Sequence, residues 1–444
     1  MNLEKFKSIL LTNLVIISIF LTWNLWTYQT DLEKATEDIS KVKETDMKKE
    51  ADVIQPHQVA YHINGKHYVS DKRENIDSVN QLLMNGEFEE VKDISNDLGK
   101  TPFNSYINGS DKIELVFSAE IPMEIVGKIY DIKSSKETNI DRIVIDSVRN
   151  SGEAYKVYFI SYNEKKILRA MFSSELENTF KYVQDYFPSN VDEHIEYELH
   201  GEDKKMVYLP VKERKLDKYY VNLEPVHVNR FAGALFQGRP YKKLNGKDST
   251  TFTDGTQILQ VDKENRSFFF LDNTIINGPK LAGSALLHKS IEFTSVHEGW
   301  LDEGYFFDEW NPDIGETTFR LFIEKSIPLF TSTTITQQFS KDDIILYKSP
   351  LYTLSKNPGH EETLPSGETF IKSLKNNPEV DFESVQDIRI GYEMTQKEAV
   401  NIDVDGTTVL ELKPCWVFKY PAKNNPTKMV YYKLGEGGKL DGLE

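Results

Sequence analysis

The sequence predicts an α+β chain: an N-terminal transmembrane helix followed by a multi-domain, mixed α+β extracytoplasmic region with antiparallel sheets. Three observations predict it. Ser8 to Thr27 is a mostly apolar run without a single charge. Beyond it, short alternating apolar stretches flank turn dipeptides such as Asn64-Gly65 and Asp405-Gly406, the pattern of hairpins. Between these lie stretches such as Leu176, Phe180, Val183 and Phe187, whose spacing of three and four puts one apolar stripe on a helix.

The first element follows from length. A helix rises 1.5 Å per residue, so about 20 residues span roughly 30 Å, the thickness of a bilayer's hydrocarbon core. Lys5, Lys7 and the amino terminus precede the run, while Asp31 and Glu33 follow it. The positive-inside rule therefore places the N-terminus in the cytoplasm and the bulk outside the cell membrane. Trp23, Trp26 and Tyr28 gather at the outer end as membrane-interface anchors. The alternative, a cleaved signal peptide, has a shorter apolar core of about 7 to 15 residues and a small-residue cleavage site. None follows Trp26.

The polar residues inside the run are candidate contacts with other membrane helices. At about 100° per residue, Ser8, Thr12, Ser18 and Thr22 share one broad face, and Asn13 and Asn24 fall together nearly opposite. An amide in lipid is costly unless hydrogen-bonded, which makes Asn13 the sharper candidate; Asn24 lies near the interface, within reach of water. Small polar residues are also simply tolerated in single-span anchors.

Composition bounds the rest. Of 444 residues, 39% are hydrophobic and 12% aromatic, enough for two or three cored domains rather than a disordered stalk. A net charge of −17 excludes nucleic acid as a partner and disfavours tight docking of the outer region on anionic lipid. The lone Cys415 excludes an intramolecular disulfide framework and a cysteine-based zinc site. A large outer region without disulfides fits a bacterial envelope.

Taken in order, residues 1–30 are the cytoplasmic tip and signal anchor, and 31–56 a charged linker. In it Leu32, Ala35, Ile39 and Val42 keep a heptad-like spacing for two repeats, too few for a coiled coil. A first α+β domain is expected over 57–195, opening with the hairpin of Val59 to Val69 and a helix through Ile76, Val79, Leu82 and Leu83. Strands follow at Lys112 to Phe117, Arg142 to Asp146, Tyr155 to Ser161 and Lys166 to Phe172, with a helix at Met123 to Ile129. Apolar density drops between Pro188 and Arg214, which sets the boundary. The second α+β domain, 196–360, has a strand at Tyr219 to Asn222, a helix at Val226 to Phe236 and a hairpin about Lys263-Glu264-Asn265. A helix at Leu281 to Val296 and strands at Thr318 to Glu324, Ile335 to Phe339 and Ile344 to Tyr352 complete it. The C-terminal α+β domain, 361–444, opens on the helical Phe370, Ile371 and Leu374 and then alternates through Val385, Ile388, Ile390 and Tyr392.

The chain carries no pattern for chemistry. Asn401-Ile402-Asp403-Val404-Asp405-Gly406 imitates half of an EF-hand loop, but Leu412 stands where the bidentate Glu belongs and Glu411 is one residue early, so an acidic hairpin turn fits better. His297-Glu298 lacks the second His of a zinc protease, and nucleophile elbow, Walker loop and dinucleotide fingerprint are missing. His62 and His67 flank a turn without ligand spacing. The acidic, aromatic stretch Glu298 to Trp310 reads as a loop that buries its rings, or as a partner or sugar surface. No catalytic residue, metal or cofactor is expected.

Several stretches together resemble the YycH (WalH) family. They are the anchor, Ile143-Val144-Ile145-Asp146, Gly299-Trp300-Leu301, Phe319-Arg320-Leu321-Phe322, Pro328-Leu329-Phe330, Asp381-Phe382-Glu383-Ser384-Val385, Ile390-Gly391-Tyr392-Glu393-Met394 and Pro414-Cys415-Trp416. The likeness runs in order over essentially the whole chain, and the last two stretches are also similar to the companion protein YycI, which the C-terminal domain is expected to resemble. What the resemblance implies is a membrane-anchored accessory protein of Gram-positive bacteria. With YycI it would modulate the sensor histidine kinase WalK (YycG) through transmembrane helix contacts, and so the response regulator WalR and cell-wall metabolism. The reading is a non-enzymatic, single-pass regulator whose partners are WalK, YycI and the lipid bilayer. The alternative is an anchored envelope enzyme or ligand-binding protein acting on cell-wall glycan.

Overall fold

The computed structural model describes residues 3–27, 32–33, 47–96, 101–133, 137–147, 154–173, 177–199, 205–274, 278–331, 333–341, 343–396 and 410–443. Two sheets organise them. The first has nine antiparallel strands in the order Met206–Pro210, Glu193–Glu198, Lys66–Ser70, Gln58–Ile63, Lys112–Pro122, Asn139–Asp146, Tyr155–Ser161, Lys166–Ser173 and Glu87–Asp93. Asn64 and Gly65 both have positive φ at the first hairpin, as a two-residue turn between right-twisted strands requires.

The central strand Lys112–Pro122 is buried nearly throughout because both of its faces are covered. Ile113, Leu115 and Phe117 join the helices Arg73–Met84, Met123–Tyr130 and Glu177–Asn190 in one core through Ile76, Val79, Val126, Val183 and Phe187. Val116 faces the other way and packs with Ala60, Val144, Ile160 and Tyr208. That second face also carries charge. Glu114 and Arg142, both fully buried, form a direct ion pair, and Glu114 accepts from Tyr208 Oη. His62 Nε2 lies 3.0 Å from the same carboxylate. Burial alone would raise the Glu114 pKa; the guanidinium and the hydrogen bonds outweigh it and hold it at about 2.

The second sheet system is larger. Its connected path runs Leu32–Glu33, Tyr241–Asn245, Ser249–Thr253, Gln257–Asp262, Ser267–Asp272, Asp343–Pro350, Ile335–Ser340, Glu316–Ile323, Ile327–Phe330, Asp387–Gln396, Leu410–Ala422, Arg214–Pro225 and Tyr352–Leu364. Tyr305–Asn311 pairs beside Glu316–Ile323, and Asn425–Leu434 beside Leu410–Ala422. The helix Gly283–Val296 packs on Glu316–Ile323. The helix Gly367–Lys375, whose first turn is capped by Ser366 Oγ accepting from the Thr369 amide, inserts Phe370 and Leu374 between Trp416 and Phe418 of one sheet and Val207 and Leu209 of the other. The two sheets thus share a core.

Among the described residues the fold is mixed α+β with antiparallel sheets, as expected, apart from the parallel contact of Leu329 with Tyr392. Three details differ. Glu193–Glu198 and Met206–Pro210 form strands in the charge-rich stretch after Pro188, so the first sheet runs on to Pro210. Tyr352–Leu364 is a long edge strand exposed on both faces over much of its length, with Lys356, Glu361 and Glu362 in the open, so no apolar alternation marks it. Leu32 and Glu33 pair with Lys242 and Tyr241, so the first residue of the heptad-like spacing lies in a strand, while Ala35, Ile39 and Val42 fall outside the described residues. The EF-hand-like segment 401–406 also lies outside them; Glu411, beside it, pairs with Lys218 at 3.5 Å.

Candidate functional site

The expected membrane contacts sit on one helix, Leu3–Thr27. Among the described residues no helix is long and apolar enough to cross a membrane; side chains of this one are described for 7 and 11–23. Thr12, Asn13, Ser18, Thr22 and Trp23 are exposed. Thr22 Oγ1 donates to the Ser18 carbonyl at 2.8 Å, one turn back, so this hydroxyl is satisfied within its own helix. The Ser8, Asn24 and Trp26 side chains, and Tyr28 as a whole, lie outside the described residues.

Beyond the Leu32–Glu33 pair, the next described residues begin at 47, and there the linker is held in place. The short helix Glu50–Val53 is fixed at its start by Asp52 Oδ2, which accepts from the Lys49 amide at 2.8 Å. Val53 and Ile54 are buried in the main core. The helix packs on Met123–Tyr130 from the first sheet's side and on Gly283–Val296 and Tyr305–Asn311 from the second's. Polar contacts repeat the pattern. Glu50 Oε1 lies 2.9 Å from His288 Nδ1 and 4.0 Å from Lys128 Nζ, one on each side. Burial would raise the Glu50 pKa, but the His288 hydrogen bond and the nearby cations bring it below the usual carboxylate value. Lys48 Nζ stands 4.9 Å from the Trp300 ring centroid, and Ser295 Oγ accepts from both the Lys48 amide and Trp300 Nε1, at 3.3 and 2.9 Å.

Deeper in the same seam a chain of ion pairs joins the sheets. Lys205, entering the last strand of the first sheet, reaches Asp387 of the second at 3.2 Å. Arg389 pairs with Asp387 and, at 3.2 Å, with Asp308, whose other oxygen accepts from Arg320 Nε at 2.6 Å. Tyr431 Oη donates to Asp387 at 3.1 Å, and Lys419 pairs with Glu309. Burial opposes ionisation of Asp308, yet Arg320 and Arg389 hold its pKa well down. Two cavities flank this chain, one of about 50 Å³ beside His57 and His194 and one of about 230 Å³ beside Asp141, Tyr162 and Trp310. The larger one gathers five carboxylates, but Asp308, Glu309 and Asp387 are each tied to a cation. The arrangement is fitted to holding two bodies in register.

Neither the linker contacts nor the seam was marked by a motif. The available signal was Val53-Ile54, an apolar pair inside an otherwise charged linker. Of the stretch Glu298 to Trp310, Tyr305, Phe306 and Phe307 are buried.

Two family models cover the chain: the N-terminal domain of YycH protein matches residues 4–188 and the C-terminal domain of YycH protein matches 204–435. The chain belongs to the YycH family. A relative from Bacillus subtilis (strain 168), the two-component system WalR/WalK regulatory protein YycH, is 28% identical over 98% of this chain and 99% of its own length. The crystal structure of YycH from Bacillus subtilis has the same fold, with a TM-score of 0.70 at 23% identity over 90% of this chain and 98% of that one. In this YycH-family protein the stretch between the two matched domains, 189–203, contains the strand Glu193–Glu198 that precedes Lys205 at the seam.

Proposed function

We propose that this protein is a membrane-anchored, non-enzymatic accessory regulator that acts with YycI on the sensor histidine kinase WalK, and thereby on WalR and cell-wall metabolism. The relative's role in the WalR/WalK system and the family membership support the pathway. One observation carries the mechanism: the linker that follows the apolar helix ends wedged between the two sheets, so a change at the seam has a short covalent route to the helix. Residues 8–27 cross the cell membrane with the N-terminus in the cytoplasm. The helix meets its partners through Asn13 on one face and Ser8, Thr12, Ser18 and Thr22 on the other.

For the helix to regulate, it must bind one arrangement of the kinase's membrane helices better than the other. A difference of about 1 to 3 kcal/mol shifts that equilibrium about 5- to 150-fold. The test compares residues 1–30 alone, the full chain and residues 31–444 in a strain lacking the protein, read by a WalR-dependent reporter. The account expects an effect from 1–30 alone. An inert 1–30 with a fully active 31–444 refutes it.

A further inference from the structure

The first strand pair ties the second sheet to a point a few residues along the chain from the apolar helix. Leu32 and Glu33 pair antiparallel with Lys242 and Tyr241. Read backwards, the Leu32–Glu33 pair points toward Lys243, Leu244 and the tip of the Tyr241–Asn245/Ser249–Thr253 hairpin. The turn of the next hairpin, after Asp262, lies at the same end, because Ser249 pairs with Asp262. The two tips are tied together: Lys263 Nζ donates to the Gly246 carbonyl at 2.7 Å, and the Lys263 amide to the Asp248 carbonyl at 3.1 Å. From Thr27, the last helical residue, to Leu32 the chain reaches at most about 18 Å.

We infer that these two hairpin tips rest on the lipid headgroups of the membrane's outer leaflet. The inference builds on the anchor proposed above: if Trp26 marks the end of the hydrocarbon span, the tips are held within reach of a headgroup layer about 5 to 8 Å thick. Their surface suits it. Lys242, Lys247, Lys263 and Arg266 are exposed and Lys243 half-buried, against the exposed Asp248 and Glu264 and the half-buried Asp262, a local cationic excess on a chain of net charge −17. Leu244, at 49% exposure, adds an apolar contact among them. Basic residues with an interspersed apolar side chain are attracted to an anionic leaflet and inserted shallowly. The whole-chain charge, which disfavours docking on such lipid, conceals this end of the sheet.

The full chain is reconstituted in vesicles of phosphatidylglycerol and phosphatidylcholine containing a headgroup spin-labelled lipid. In a Cys415→Ser background, single fluorophores are placed by Leu244→Cys, by Ile314→Cys at the opposite end of the sheet, and by Leu14→Cys in the helix. The expected result is quenching several-fold stronger at 244 than at 314, reduced by the pair Lys247→Glu and Lys263→Glu. A label at 14 buried in the bilayer with 244 as weakly quenched as 314 overturns the docking while leaving the anchor standing; the tips then face water or a protein partner. A label at 14 open to the aqueous phase overturns the anchor itself, and the docking with it.

Discussion

The Lys48 amide donates to Ser295 Oγ at 3.3 Å, an oxygen that also accepts from Trp300 Nε1 at 2.9 Å. A single hydroxyl thus fastens the end of the linker to the second sheet's side, a few residues before Val53 and Ile54 enter the core.

Ser295→Ala strips the acceptor from both donors. A loss of about 0.5 to 1.5 kcal/mol is expected, the net worth of a hydrogen bond whose donors are partly reached by water. Thermal unfolding of the full chain measures it, and hydrogen exchange over residues 47–56 should rise. Unchanged exchange there means the linker is held without this contact.

Glu114→Ala takes from buried Arg142 its direct ion-pair partner, leaving only Asp141 at 3.4 Å from Nε, and takes the acceptor from Tyr208. Removing one partner of a buried pair costs about 3 to 5 kcal/mol. Urea denaturation of the variant should show its midpoint falling accordingly; a loss below about 1 kcal/mol contradicts a tightly satisfied cluster.

At the seam, Lys205→Met and Asp387→Asn should couple. A double-mutant cycle on stability is expected to return an interaction energy of about 0.5 to 3 kcal/mol, as for groups in one network. Additive effects would detach Lys205 from the ion-pair chain.

Acid should weaken the fold through three histidines held neutral in it. Burial, the leading cause at each, lowers the pKa of His57 to about 3 and of His67 and His194 to about 4. Their unfolded values lie near 6.5, so between there and 4 the unfolded chain binds the extra protons and stability falls as pH falls. Each contributes at most about 1.4 kcal/mol per pH unit. Replacing His194 by Gln should flatten the pH 4 to 6.5 slope of the unfolding midpoint; an unaltered slope excludes it as a contributor.

Where the chain announces itself by period, the sequence was readable. The helix expected at Met123 to Ile129 is Met123–Tyr130, the one at Leu281 to Val296 is Gly283–Val296, and the hairpin about Lys263-Glu264-Asn265 is formed by Gln257–Asp262 and Ser267–Asp272. Tyr352–Leu364 was hidden because an edge strand facing water has no apolar alternation to show. The Glu114–Arg142 pair was hidden for the converse reason: two charges in apolar strands look exposed until the fold brings them together across Lys112–Pro122 and Asn139–Asp146. The linker's docking was legible only as Val53-Ile54, and its hold on Ser295 spans 247 residues, a separation that no local pattern encodes.

The central claim is that the first helix itself carries the output. Residues 3–27 are replaced by an unrelated apolar span of equal length, with membrane abundance and folding of the outer region verified, and the WalR-dependent reporter is read. The account predicts that reporter output moves to the level of a strain lacking the protein. Output equal to that of the wild-type chain would contradict it.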